Sequence, residues 1–359
     1  MIIHIVSTVP QGNSLFRRAL DKAIRITGII PPLHRYGIDA LIPWKKPLRS
    51  PHASSRNLLH HFKKLGKVKY YSLYEKGVIK LAPDDIFLGQ IVPDGGFTYD
   101  SRPQTDDHAS ITSRTLRENP DNHNKYLIIP FANDKALWGW SKDIVENHAD
   151  KVVLIAGEIW TRNWKDGVYP SLDLKNVVRI DNGIDPLEYP IIKKSFNKPE
   201  NRKFLYIGHT AFYKNTKELE RIAEQMPGFV GGHIGLGNVK GWKKIADFAD
   251  LTPEFMTKIA EEYDIFVTTS SADAQATTIM ENMCFGFPIA CTPETGYEYP
   301  SIVKLDTTNT EANIKALTML KNMSEPELKA LVDENLKVIQ KFHTWNTYVT
   351  TISDFMNLK

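Results

Sequence analysis

The chain predicts an α/β fold of two doubly wound, Rossmann-like domains, and three observations carry that expectation. Short apolar runs alternate with amphipathic stretches through both halves, the pattern of parallel strands joined by helical crossovers. In each half one such run meets a glycine turn that opens a helix, MIIHIVST before Gly12 and FLYI before Gly208, which is how nucleotide-binding halves of such sheets begin. Between them, Pro190 to Lys203 is rich in proline, lysine and asparagine, the composition of an exposed boundary. With 359 residues, 42% of them hydrophobic, the chain is long enough to bury two cores.

The elements follow in order. Met1 to Thr8 lacks a charged n-region and an apolar stretch of signal length, so it reads as the first strand. Gly12, Asn13 and Ser14 then lead into an amphipathic helix, and they read either as contacts to a donor or acceptor or as a plain turn and N-cap. Asn57 to Lys64 reads as a lysine-rich helix. Strands are expected at Asp85 to Gln90, Lys125 to Pro130, Lys151 to Ala156 and Val177 to Ile180. In the second half, Asn201 to Ala223 is strand, glycine turn and amphipathic helix. Gly228 to Asn238 is a strand and glycine loop, Tyr263 to Thr269 a third strand, and Phe287 to Cys291 a fourth.

The most informative stretch lies between those last two strands. Thr268 to Ala274 reads as an exit loop and Thr277 onward as a helix, so the amides at Ala276, Thr277 and Thr278 sit at a helix start, where a diphosphate is readily received. Asp273 in the loop and Glu281 one turn into the helix then flank that position. The competing reading is local: Thr278 and Glu281 form a capping box, Thr-x-x-Glu, which needs no ligand.

Two carboxylates separated by seven residues in this setting resemble the signature of the retaining glycosyltransferases of the GT-B fold, in particular glycosyltransferase family 4 (group 1), with Asp273 where the family usually has Glu. The family's glycine turn carries Gly-Arg and a Lys five residues after the Arg. Here Gly208 and His209 are followed by Lys214 at that spacing. The resemblance extends to Asp181, Asn182, Gly183, Ile184 and Asp185, similar to the family's Asn-Gly-Val-Asp, and to Phe342, His343, Thr344 and Trp345, similar to its Phe-Ser-Trp. It implies two Rossmann-like domains facing a cleft: an acceptor-side domain over residues 1 to 192, a nucleotide-sugar domain over 203 to 340, and a closing helix over 341 to 359 that crosses back, with Trp345 as a core anchor. Lys214, and His209 by a hydrogen bond, would meet the leaving diphosphate, where charge develops in the transition state. Gly208 and Leu251 would line the donor.

The first half matches that family only in the order of its elements. Where the family often places a histidine after the strand corresponding to KYLIIP, this chain has Asn133 and Asp134, which stand as candidate substitutes. Asp106, Asp107 and His108 form a tempting acid/base group in a polar loop where solvated side chains are the commoner case. Trp138, Trp140, Trp160 and Trp164 suit either sugar stacking or core filling.

Charge and cysteine content narrow the setting. The net charge is only +3, yet from Ala40 to Tyr74 there is no acidic residue among Lys45, Lys46, Arg49, Arg56, Lys63, Lys64, Lys67 and Lys69. Residues 44 to 69 thus predict attraction to an anionic membrane surface, with nucleic acid as the rival polyanion and a solvated helix as the plain reading. Cys284 and Cys291 make no disulfide framework and no zinc spacing, which suits a reducing cytosol, and both are expected in the core. No stretch approaches the roughly 20 apolar residues of a membrane span. The expected protein is a cytoplasmic enzyme, peripheral at the inner membrane face. It transfers a hexose with retention from a nucleoside diphosphate sugar to a glycan or lipid-linked glycan in polysaccharide biosynthesis, without a metal or other cofactor. A non-catalytic sugar-nucleotide-binding subunit, an epimerase- or phosphorylase-like enzyme, and a glycosyltransferase acting on nucleic acid bases are the alternatives.

Overall fold

The computed structural model describes residues 1–7, 52–73, 75, 77–91, 110–129, 142–163, 176–247 and 249–358, with the side chains of His52, Ser72 and Lys142 set aside. Gly12, Asn13, Ser14, Lys45, Lys46, Arg49, Asp106, Asp107, His108, Asn133, Asp134, Trp138, Trp140 and Trp164 lie outside the described residues.

The chain divides into two units: Met1–Ile155, Thr161–Ile180 and Tyr348–Lys359 form unit 1, and Ala156–Trp160 with Asp181–Thr347 form unit 2. Unit 1 contains β1 (Ile3–Ser7), α1 (His52–Leu65), β2 (Val68–Ser72), β3 (Ile86–Gln90), α2 (Ile111–Glu118), β4 (Lys125–Ile129), α3 (Lys142–Asn147), β5 (Lys151–Ile155) and β6 (Val177–Ile180), with a short helix α4 (Glu158–Asn163) at its junction with unit 2. Its strands run in the order β2-β1-β3-β4-β5-β6, every pair parallel. β1 and β3 are buried along their whole length, as strands covered on both faces must be, which is why they read as largely apolar runs, with His4, Ser7 and Gln90 the buried polar positions.

The basic segment is more structured than its composition suggests. α1 begins before Asn57 and buries Ala53, Leu58, Leu59 and Phe62 while His60 and Lys64 face solvent, so it is a half-buried crossover helix. The following VKYYS is strand β2, in which buried Val68 and Tyr70 flank partly exposed Lys69. Lysine density hid that pattern. The closing residues also belong to unit 1: His61 Nε2 lies 2.7 Å from Ser353 Oγ, Phe355 packs edge-on against Tyr126, and Lys151 Nζ donates to the Phe355 carbonyl.

Unit 2 contains β7 (Phe204–Ile207), α5 (Thr216–Gln225), β8 (Gly231–Ile234), β9 (Lys243–Ala246), α6 (Pro253–Glu262), β10 (Ile265–Thr268), α7 (Thr277–Phe285), β11 (Ile289–Cys291), β12 (Val303–Lys304), α8 (Thr310–Asn322), α9 (Glu325–Phe342) and α10 (Trp345–Phe355), whose last turns pass into unit 1. Its strand order is β12-β11-β10-β7-β8-β9, again all parallel. Helix ends follow local chemistry. Thr252 accepts from the Phe255 amide ahead of Pro253, Ser324 and Glu327 form a capping box, and Gly286 ends α7 at φ +91°. Phe204 and Phe266 are fully buried in the sheet, worth roughly 1.5–3 kcal/mol each. Cys284 and Cys291 lie in the same core, and burial pushes each thiol up to about 12, so neither is a reactive thiolate at neutral pH.

The boundary falls at Ile180 and Asp181, upstream of the proline- and lysine-rich stretch. The reason is hydrogen bonding. The Ile184 amide donates to the His343 carbonyl at 2.8 Å, and the Ile192 and Lys193 amides both donate to the Phe285 carbonyl, which ties residues 181 to 193 to unit 2. Lys193 and Asp264 complete the attachment as a buried ion pair at 2.8 Å. Trp345 is half-buried rather than enclosed, its indole lying against Gly183, where a Cβ would come within 2.5 Å of Cε3.

Candidate active site

In a doubly wound sheet, ligands bind beyond the carboxyl ends of the strands, where the chain reverses its direction of winding. In unit 2 that point lies between β7 and β10, because β8 and β9 extend the sheet to one side and β11 and β12 to the other. The loops leaving β7 and β10 carry Gly208 to Lys214 and Thr269 to Ala276, so topology alone brings the two sequence motifs together.

Their meeting is direct. Lys214 Nζ forms an ion pair with Asp273 Oδ2, and the two side chains are 13% and 14% exposed. Lys214 ends a 3-10 turn, Phe212–Lys214, and Asn215 beyond it adopts a left-handed conformation at φ 49° to start α5. Asn215 holds that shape by donating from Nδ2 to the Thr307 carbonyl at 2.8 Å and accepting from Thr269 Oγ1 at its own carbonyl. Asp273 is fixed from the other side, its amide donating to the Glu294 carbonyl at 3.0 Å. That same carbonyl accepts from Trp160 Nε1 at 2.9 Å, which makes Trp160 a core residue. The Glu294 carboxyl, pushed up by burial, has Oε2 unpartnered among the described residues.

The α7 start is open in the sense that matters for an anion. Its N-cap is Ala276, with no side-chain cap, and the helix begins at Thr277. Thr278 is therefore the second helical residue and Glu281 the fifth, so the Thr278–Glu281 capping box does not form. The Thr277 and Thr278 amides point out of the helix end with its positive dipole. No acidic residue occupies the first turn, and Glu281 is half-buried a turn further in. Gln275, in a left-handed conformation at φ 54°, braces this turn: its amide donates to the Thr295-side loop at 2.8 Å, its Nε2 donates to Asp181, and its Oε1 accepts from the Asn182 amide. Sequence reading passed over Gln275, although its place six residues before Glu281 and the Asp181–Asn182 run were both in view.

His209 behaves differently from a cation. Its Nδ1 accepts from the Ala211 amide at 3.2 Å, which places the ring proton on Nε2, 2.9 Å from the Tyr213 hydroxyl. Burial and then Lys214 hold its pKa below the ordinary histidine value, so the ring is neutral at pH 7. Gly208 is kept bare by its neighbours: a Cβ would meet Tyr206 Oη at 2.6 Å, and Gly235, at φ +143°, has its α-carbon hydrogen where a Cβ would sit 1.9 Å from the Gly208 carbonyl. Leu251 packs half-buried against the unit 2 core just before the Thr252 cap. Among the described residues no three His, Cys, Asp or Glu side chains are grouped to hold a metal ion, and no helix is long and apolar enough to cross a membrane.

No family model matches the chain, and no curated protein matches it. Solved structures do. An E. coli trehalose-6-phosphate structure bound with UDP-2-fluoro glucose superposes with a TM-score of 0.59 at 11% identity, covering 100% of each chain. Anabaena HepE in complex with UDP and glucose gives 0.55 at 11% identity over 99% of each. The chain has the GT-B fold. TarM is also similar, at a TM-score of 0.53 and 13% identity over 84% of this chain, which spans only 58% of TarM. At such identities the GT-B likeness concerns the fold, and the residues at the site have to be argued from this chain.

Proposed function

We propose that the protein is a retaining glycosyltransferase that moves a hexose from a nucleoside diphosphate sugar, with UDP as the first nucleotide to test. The observation that carries the reading is the meeting of Lys214 and Asp273 at the switch point of unit 2, beside the uncapped start of α7. These groups suit the two halves of such a donor. Lys214 and the Thr277 and Thr278 amides would take the diphosphate, whose negative charge grows as the sugar departs. Asp273 would hold a sugar hydroxyl and Glu281 the ribose. Proton demand on the protein is small in this scheme, because a donor phosphate oxygen can accept the proton from an acceptor attacking on the same face. Two of the similar structures carry UDP or a UDP-sugar, which is why UDP leads the panel.

The acceptor reading is a glycan or lipid-linked glycan, with the protein at the cytoplasmic membrane face. It is supported by the acid-free basic segment, of whose described part His60, Lys64 and Lys67 are exposed. Sedimentation with anionic against neutral vesicles tests it. Asn133, Asp134, Gly12 and Asn13 remain candidate acceptor- or donor-side residues by the sequence argument alone, and metal independence is checked by activity in excess chelator.

The direct test is titration calorimetry with UDP, GDP, ADP, CDP and dTDP, followed by UDP release from UDP-sugars and anomeric NMR of the product. One diphosphate binds, and Lys214→Ala and Glu281→Ala each cut transfer at least about tenfold, a loss of roughly 1.4 kcal/mol in transition-state stabilisation. Near-normal rates in both variants would sink the site. Donor binding without transfer or hydrolysis would favour the non-catalytic subunit, a reading to which the uncharged His209 lends support.

A further inference from the structure

We propose that Tyr213 is the positioning residue for Lys214, clamped at its hydroxyl by His209, and that this pair sets where the ammonium meets a diphosphate; the proposal rests on the donor reading above. A lysine on a three-residue turn has no rigid support of its own, and its long side chain carries about 2 kcal/mol of rotamer entropy. Support comes from its neighbour. Tyr213 is 8% exposed, and its carbonyl accepts from Ser270 Oγ at 2.9 Å, from the Ser271 amide at 2.8 Å and from Ser271 Oγ at 3.2 Å. One end of the residue is thereby bolted to the loop that bears Asp273.

The other end is held by His209. With Nδ1 accepting from Ala211, Nε2–H donates to the Tyr213 hydroxyl at 2.9 Å, and the rings meet edge to face with centroids 5.4 Å apart. His209 is itself anchored, its carbonyl accepting from the Tyr206 hydroxyl at 2.8 Å. Between these clamps the Tyr213 ring presents its face to Lys214, whose Nζ lies 5.3 Å from the centroid, within cation–π range. The histidine at the position where an arginine would contact phosphate thus acts through tyrosine on Lys214. Lys214 can then exchange Asp273 for a phosphate without leaving the ring.

A pair of ligands that differ only by the β-phosphate separates positioning from scaffolding: UDP and UMP, or the diphosphate and monophosphate of whichever base the parent binds. Calorimetry on Tyr213→Leu is expected to raise the UDP Kd about fivefold, the loss of a partly desolvated cation–π contact, while leaving UMP unchanged. Tyr213→Phe and His209→Asn each raise it by about threefold, the worth of one hydrogen bond, and the double variant raises it no further because the two act as one unit. His209→Gln, whose amide can replace Nε2–H, recovers most of that loss. Melting temperatures are taken alongside, and if Tyr213→Leu does not fold, the Phe, Asn and Gln variants carry the test. UDP and UMP weakened alike, or UDP unchanged in every variant, overturns the proposal while leaving the donor site standing. A parent that binds no nucleotide overturns the donor reading and this proposal together.

Discussion

Asp273→Asn offers a prediction whose sign is unusual, because removing the carboxylate proposed for the donor site should tighten one ligand and weaken another. In the structure Asp273 is the counter-ion of Lys214, both side chains being largely shielded from water. Unit charges about 4 Å apart near a protein surface attract by about 4 kcal/mol before solvation is counted. Most of that is offset by the hydration each group would recover, which leaves a net hold of about 1 kcal/mol, the upper end for pairs that keep some solvent contact. A diphosphate has to displace that hold. Substituting Asn removes it, so UDP should bind about fivefold more tightly. A UDP-sugar gains the same factor but loses a charge-assisted hydrogen bond to the sugar, worth about 1.5–3 kcal/mol, and should bind at least about twofold more weakly than to the parent. The assay is calorimetry with UDP and UDP-glucose at low and high salt, where screening should shrink the UDP gain. UDP binding equal to or weaker than the parent's would refute the counter-ion argument.

Three further outcomes follow from the same geometry. Gly235→Ala forces a side chain into a left-handed backbone and onto the Gly208 carbonyl, 1.9 Å from an ideal Cβ, and should lower unfolding free energy by about 1–3 kcal/mol in urea titrations; parent-like stability would show that the two loops can part. Asp264→Ala leaves Lys193, 3% exposed, with its charge uncompensated, and a cost of about 3–5 kcal/mol is expected in the same assay, with Lys193→Met/Asp264→Leu recovering part of it. Burial is the largest cause holding His4, His209 and His233 below their ordinary value of 6.5. The unfolded chain therefore binds more protons than the folded one as pH drops through 6.5, so stability is fully present above that pH and is lost below it. The urea midpoint should fall between pH 7.5 and 5.5, and a flat or rising midpoint would contradict the burial of these rings.

Local chemistry made much of this protein legible in one dimension. Strands β1, β3, β4, β5, β7 and β10 are buried on both faces and largely apolar, a demand that parallel packing writes directly into consecutive residues. Lys214, Asp273 and Glu281 could be picked out because a helix start and a strand exit are local events with residue preferences of their own. Strand β2 was missed because Lys69 and the lysines just before it mask its buried positions, and β9, KKIA, is too short and too polar on its exposed positions to stand out. What no local reading could supply was pairing. Lys214 and Asp273 lie 59 positions apart and meet only because β7 and β10 are neighbours in the sheet. The same holds for His209, whose charge state is set first by burial that only the fold supplies, and for residues 181 to 193, assigned to unit 2 by carbonyls contributed from 285 and 343. Sequence by itself determined most of the buried strands and the helix start at α7, and where charges lie along the chain. Tertiary structure decided which charge faces which, since Coulomb and hydrogen-bond energies depend on distances that only the folded sheet order sets.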